Sequence, residues 1–320
     1  MELEADAAEA RARRDRRADR AFRTLLWLAG LLVLLALGST AVSLAWGGRE
    51  AFATFGPGFL VSSEWDPVGR RFGALVPIYG TLVTSLLAML FAVPVSFGIA
   101  LFLTEIAPGW LRGPVAAAIE LLAAIPSIIY GMWGLFVFVP FMADHVEPWL
   151  IERLGPLPVL GVLFRGVPLG IGMLTGGVIL GIMVIPFVSS VMHEVFSVVP
   201  ATLKESAYAL GCTTWEVARD IVLPYTRTAV SGGIFLGMGR ALGETMAVTF
   251  VLGNTHNLSA SLLDPGNSIA AAIANEFAEA DSGLYLSSLI ALGLVLFAVT
   301  FLVLAAAKLL LLRLEGAAGR

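Results

Sequence analysis

Residues 77–103 read Pro77-Ile-Tyr-Gly-Thr-Leu-Val-Thr-Ser-Leu-Leu-Ala-Met-Leu-Phe-Ala-Val-Pro-Val-Ser-Phe-Gly-Ile-Ala-Leu-Phe-Leu103, a run without one charged side chain. A bilayer core about 30 Å thick is crossed by about 20 apolar residues of helix, so this stretch is long enough to span it. Five more stretches qualify by the same test: 25–46, 115–142, 169–192, 228–253 and 284–307. The expected fold is therefore all-α and polytopic, with about six transmembrane helices.

Composition agrees. Of 320 residues 58% are hydrophobic and only 14% charged, against roughly 25% charged in soluble domains, and the mean hydropathy is +0.87. The surrounding medium is membrane lipid. Net charge is −4, and the basic residues gather at the N-terminus instead of forming the broad stripe that nucleic acid requires. The single cysteine, Cys212, allows no intrachain disulfide, and His145, His193 and His256 offer no metal-ligand spacing. No stretch pairs a nucleophile with a base or carries HExxH, which argues against an enzyme.

An even number of spans puts both termini on one side. That side receives Arg11, Arg13, Arg14, Arg16, Arg17, Arg20, Arg23, Arg112, Lys204, Arg219, Arg227, Lys308, Arg313 and Arg320. The other receives Arg49, Arg70, Arg71, Arg153 and Arg165. The bias predicts cytoplasmic termini. The chain then divides into an Arg-rich cytoplasmic segment (1–24), a membrane domain (25–312) with a cytoplasmic loop at 193–227, and a short cytoplasmic tail (313–320). The first apolar run exceeds a signal-peptide core and reads as a retained anchor. External loops at 47–76, 143–168 and 254–283 are too short for a binding domain, so solute capture falls to another protein or to the membrane core.

The loop Pro200-Ala-Thr-Leu-Lys-Glu-Ser-Ala-Tyr-Ala-Leu-Gly-Cys-Thr-Thr-Trp-Glu-Val-Ala-Arg-Asp-Ile-Val-Leu-Pro224 reads as two short helices. Thr202 with Glu205 and Thr213 with Glu216 each fit a capping box. Gly211 suits a left-handed residue between the helices, and Pro224 is expected to end the second. Joining two spans needs only a few polar residues, so an ordered loop suggests a docking surface.

Within 228–253, Arg240 and Glu244 stand at i, i+4 and would share a face of a continuous helix. Charges at that depth cost about 2.5 to 3.5 kcal/mol for Arg, so they should meet each other or a cavity. Glu120 reads as interfacial. Gly172, Gly176, Gly177 and Gly181, with Gly233 and Gly237, provide small-residue packing faces, either within this subunit or against a second one. Pro94, Pro126, Pro140 and Pro186 fall inside predicted spans, Pro126 being the candidate hinge.

Glu205-Ser-Ala207, Gly211 and Ile221-x-Leu223-Pro224 together resemble the EAA loop of ATP-binding-cassette importer permeases, with Ser206 in place of the middle alanine. The resemblance implies that the first loop helix seats in a separate ATPase, through Glu205, Ala207 and Gly211. The sequence has no P-loop of its own, so ATP belongs to that partner and no cofactor is expected here. Gly239-Arg-Ala-Leu-Gly-Glu-Thr-Met-Ala-Val248, Ala123-Ala-Ile-Pro-Ser-Ile-Ile-Tyr-Gly-Met-Trp-Gly134 and Leu101-Phe-Leu-Thr-Glu105 resemble phosphate-importer permeases of the PstC type. This second resemblance runs from the first span onward. It implies a multi-pass subunit of the cell inner membrane, working with P-loop ATPases, a second permease (a copy or a paralogue) and an extracytoplasmic phosphate-binding protein, with Arg240 and Glu244 on the phosphate path. Physically, Arg240 offers a forked donor, and Glu244 can accept the proton that monohydrogen phosphate carries and sulfate lacks. The alternatives are a molybdate or sulfate permease, or an ion channel, which leaves the ordered loop unexplained.

Overall fold

The computed structural model describes the backbone of residues 2–318 and the side chains of residues 19–312. The arginines at 11–17, Arg313 and Arg320 lie outside the described side chains, as does the 313–320 tail. Helix α1 covers Glu2–Gly47. Helix α2 covers Leu75–Leu101 and continues through a π turn, Phe102–Ile106. Then come α3 (Gly109–Ala123), α4 (Ser127–Trp133), α5 (Met173–Ser197), α6 (Ala201–Ala209), α7 (Thr214–Val217), α8 (Leu223–Leu242), α9 (Met246–Val251), α10 (Ile269–Glu276) and α11 (Gly283–Ala318). Five described helical stretches are long and apolar enough to cross a membrane: Asp19–Gly47, Leu75–Ile106, Ser127–Leu154, Met173–Ser197 and Gly283–Leu312.

Two expected spans are redrawn. The apolar run 115–142 is not one helix: α3, which carries Glu120, stops at Ala123, and the span begins at Ser127. Pro126 has no N–H and drives the preceding residue out of helical geometry, so it breaks the chain's helix where a hinge was expected. Beyond α4 the span continues as α turns alternating with π turns at Gly134–Phe138 and Met142–Val146, with Pro140 in the α segment between them. The run 228–253 is likewise interrupted, because α8 ends at Leu242 and α9 starts at Met246. It is a broken sixth element rather than a continuous sixth helix.

The glycine faces resolve as packing inside this subunit. Helix α2 lies along α5, and α8 packs on both. A Cβ on Gly177 would meet Leu87 Cβ at 2.7 Å, and one on Gly181 would meet Phe91 and the Ala88 carbonyl at 3.0 and 3.1 Å. On α8, Gly233 faces Val191 at 2.9 Å and Gly237 faces Val188 at 2.5 Å. Such close approach lets dispersion hold helices together where lipid supplies no hydrophobic drive.

The three loops expected on the outer side gather at one end. The antiparallel pair β1 (Trp65–Asp66) and β2 (Arg71–Phe72) brings Trp65 to the Glu276 carboxylate. That carboxylate accepts hydrogen bonds from Trp65 Nε1 (2.7 Å), the Tyr285 hydroxyl (2.7 Å) and His256 Nε2 (2.8 Å). The Trp65 and His256 rings stack 5.0 Å apart. Of the expected 143–168 loop, residues up to Leu154 belong instead to the Ser127–Leu154 span, and the remainder joins the same end, Leu163 O accepting from Leu262 N at 2.9 Å. Burial pushes the Glu276 carboxyl up, but the donors from His256, Tyr285 and Trp65 outweigh it and hold it below the ordinary carboxylate range. A depressed folded-state value means stability present above the unfolded value of about 4.3 and lost as pH falls through the folded one. Glu276→Gln should therefore cost about 1–3 kcal/mol at pH 7 and flatten the acid limb of stability below about pH 4.3. Thermal unfolding of the purified protein across pH 3 to 7 checks both.

Candidate functional site

At the break in the sixth element, Arg240 occupies the last turn of α8, and Gly243-Glu244-Thr245 follows it. The interruption separates the two charges that a continuous helix would have stacked. Among the described residues no ion pair joins Arg240 to Glu244, which corrects the expectation of a shared helical face. Glu244 instead turns to the start of α9, its Oε1 accepting from Ala247 N at 3.2 Å. A carboxylate at that position satisfies a free backbone donor.

Among the described residues Arg240 has no carboxylate within ion-pair distance. Its guanidinium carbon sits 5.7 Å from the centre of the Phe187 ring on α5, and its Nε is buried with no hydrogen-bond partner. The stacking on Phe187 follows from Gly233 and Gly237, which bring that face of α8 against α5. The Arg240 Nε–H is thus a buried donor with no protein acceptor among the described residues.

The two breaks are neighbours in space. A Cβ on Gly131 would lie 2.9 Å from Phe250, 3.0 Å from the Met246 carbonyl and 3.1 Å from Ala247 Cα, so α4 crosses α9 in backbone contact just past both interruptions. The sequence offered Gly131 and Tyr130 only as parts of a longer motif. The contact of Gly131 with α9 is tertiary.

The loop expected to dock a partner is ordered, with two departures from expectation. Helix α6 starts directly after Pro200 with no side-chain cap, so the Thr202–Glu205 box does not form. Thr202 already lies inside the helix, where its carbonyl accepts from Ser206 Oγ at 2.7 Å. Pro224 does not end the second helix: α7 passes through a π turn, Ala218–Val222, directly into α8, and Pro224 falls in the first turn of α8. The wider π turn accommodates the missing N–H.

The rest of the loop forms as read. Gly211 has φ +89°; its N–H donates to Tyr208 O (3.0 Å) and that of Cys212 to Ala207 O (3.1 Å), a Schellman cap. Thr213 and Glu216 form the reciprocal box, and the hydrogen bonds from the Thr213 backbone and hydroxyl hold the Glu216 carboxyl below its ordinary value. Ala207 and Val222 are buried, Ile221 and Leu223 half-buried, and Glu205, Gly211 and Pro224 exposed. Leu203, Tyr208, Leu210 and Trp215 stand out from the body, Leu210 at 86% exposure. On the opposite side of α6, Lys204 pairs with Glu105 in the π turn beyond α2.

Residues 92–316 match the family described as "Binding-protein-dependent transport system inner membrane component". The chain is 64% identical to the phosphate transport system permease protein PstC of Xylella fastidiosa (strain 9a5c) over 94% of its length and 93% of that protein. It is 58% identical to the protein of the same name from Pasteurella multocida (strain Pm70), covering 93% of each. Among solved structures, a chain of a bacterial ABC transporter involved in import of the polysaccharide alginate superposes with TM-score 0.60 at 17% identity, over 95% of this chain and 99% of that one; this likeness is one of fold. With a family pattern that takes in both breaks and the ordered loop, and near-full-length relatives at such identity, the chain belongs to the binding-protein-dependent transport system inner membrane components, in their PstC branch.

Proposed function

We propose that this integral membrane subunit is the pathway by which inorganic phosphate enters the cytoplasm. As a permease of an ABC importer it is a transport subunit and not an enzyme. It works in the cytoplasmic membrane, with both termini inside, beside a second permease, on P-loop ATPases that bind the α6–α7 loop, and receives phosphate from an extracytoplasmic binding protein. The observation that carries this reading is Arg240, partly buried at the helix break with an unpartnered Nε and, among the described residues, no carboxylate within ion-pair distance. A guanidinium in that state recognises a tetrahedral oxyanion through its planar fork. Glu244, at the same break, has a second carboxylate oxygen to accept from a protonated phosphate. The relatives' name, phosphate transport system permease protein, supports the choice of anion.

The test is uptake of radiolabelled phosphate into vesicles holding the whole complex, with sulfate and molybdate as competitors. Competition by either at equal concentration would move the assignment to that oxyanion. The docking half is tested separately. The exposed apolar face of α6 and its cap, Leu203, Tyr208 and Leu210, has the character of an interface centre. Leu203→Asp with Leu210→Asp should release the ATPase on purification while membrane abundance stays unchanged. Retention of the ATPase at wild-type stoichiometry would refute docking through this face.

A further inference from the structure

Helix α6 presents two faces of different chemistry. Leu203, Tyr208 and Leu210 stand free, while Lys204 and Ala207, three residues apart and so on one face, point to the membrane body. Ala207 contributes a single methyl to the core cluster with Ala100, Phe97 and Phe196. Lys204 does more: its Nζ lies 2.5 Å from Glu105 Oε1, with the two side chains only 16% and 5% exposed. The described pairs Arg71–Glu64 and Arg219–Asp220 are largely exposed, and His256–Glu276 belongs to the other end of the molecule. Lys204–Glu105 is thus the buried ion pair, among the described residues, that ties the loop to a span.

Glu105 sits in the π turn that closes α2, where the Ala107 N–H donates to Phe102 O. The nearby cation Arg112 is committed elsewhere, its Nε donating to Ala107 O at 2.7 Å. Displacement of Glu105 therefore acts on the end of α2, which lies along α5, the helix whose Phe187 carries Arg240. A buried ion pair adds little net stability compared with apolar side chains, yet removing one partner leaves an uncompensated charge. What it provides is a fixed distance and direction. A methyl contact can slide, whereas a short charge-assisted bond cannot.

We propose that Lys204–Glu105 is the strut by which α6 displaces the end of α2, so that the pair sets how much phosphate moves per ATP hydrolysed, while assembly with the ATPase does not depend on it. Both are positioning residues. The inference rests on the reading that α6 docks the ATPase, and the two are separable by experiment. The complete complex, with binding protein, is reconstituted in liposomes carrying Glu105→Gln, Lys204→Met, or the reversal Glu105→Lys with Lys204→Glu. Phosphate transported, ATP hydrolysed and ATPase stoichiometry are measured together.

Each single variant is expected to keep its ATPase and to lose about tenfold in phosphate per ATP, within the usual range of coupling effects. The reversal should recover most of that ratio, while membrane abundance and ATPase stoichiometry stay at wild type in the single variants, a split that a merely structural role would not give. A wild-type ratio in both single variants, or a reversal that assembles normally and stays uncoupled, overturns the strut. So does loss of the ATPase in Glu105→Gln, because the pair would then be building the docking helix. Failure of the docking reading appears elsewhere, as an ATPase retained by Leu203→Asp with Leu210→Asp.

Discussion

Removing both charges at the helix break, as Arg240→Met with Glu244→Gln, is expected to abolish phosphate uptake while the protein reaches the membrane at wild-type abundance. A self-neutralising buried pair would behave in the opposite way, the double change restoring what each single one destroys. The geometry argues against that outcome, since no ion pair joins the two among the described residues. Arg240 stacks on Phe187 with its Nε unpaired, and Glu244 caps α9, so the two changes act on separate contacts. Each lost charge-assisted contact to the anion is worth about 1.5–3 kcal/mol, so uptake should fall roughly tenfold to hundredfold per residue. Arg240→Lys should also be strongly impaired, since an ammonium keeps the charge and loses the fork. Recovery of uptake in the double variant, scored at saturating binding protein with abundance measured in parallel, would refute the assignment.

The second large effect is expected at Gly211. No atom lies within 4 Å of where its Cβ would be, so space is not the constraint. The backbone is: φ of +89° lies in the left-handed region, where an ordinary side chain costs about 1–2 kcal/mol and a β-branched one more. Gly211→Val should insert normally, continue to hydrolyse ATP and lose at least about tenfold in uptake, because α6 and α7 lose their relative angle. Gly211→Asn, which tolerates the left-handed region, should stay near wild type. Equal loss in the two variants would point to contact with the ATPase in place of backbone geometry.

What the sequence disclosed was local, and what it concealed was either averaged away or distant. Hydropathy over windows of span length overlapped each of the five described helices long enough to cross a membrane, but it smoothed over Ala124-Ile125-Pro126 and Gly243-Glu244-Thr245, since small residues and one glutamate barely change a mean. Periodicity then assumed a continuous helix and paired Arg240 with Glu244. The signal for the break was present in Gly239 and Gly243 followed by the acceptor side chains Glu244 and Thr245, the composition of a helix end and a new start. Cap chemistry succeeded at Thr213–Glu216, where both partners lie within one turn. It failed at Thr202–Glu205 because Pro200 had already fixed the helix start. The Glu276 cluster joins positions 65, 256, 276 and 285, and Lys204–Glu105 joins residues 99 apart. No spacing rule reaches contacts that only tertiary folding creates.

The π turns at Phe102–Ile106, Gly134–Phe138, Met142–Val146 and Ala218–Val222 give these elements a property that straight helices lack. Each stores one residue beyond an α turn. If that residue is expelled from one turn and taken up by another, the stretch between them advances by about 1.5 Å and rotates by about 100°, with the hydrogen-bond ladder remade behind it. Ser127–Leu154 holds two such reservoirs in series. Such an exchange between the two would turn the section that separates them, Val139–Phe141, like a bolt in a thread while both ends stay fixed.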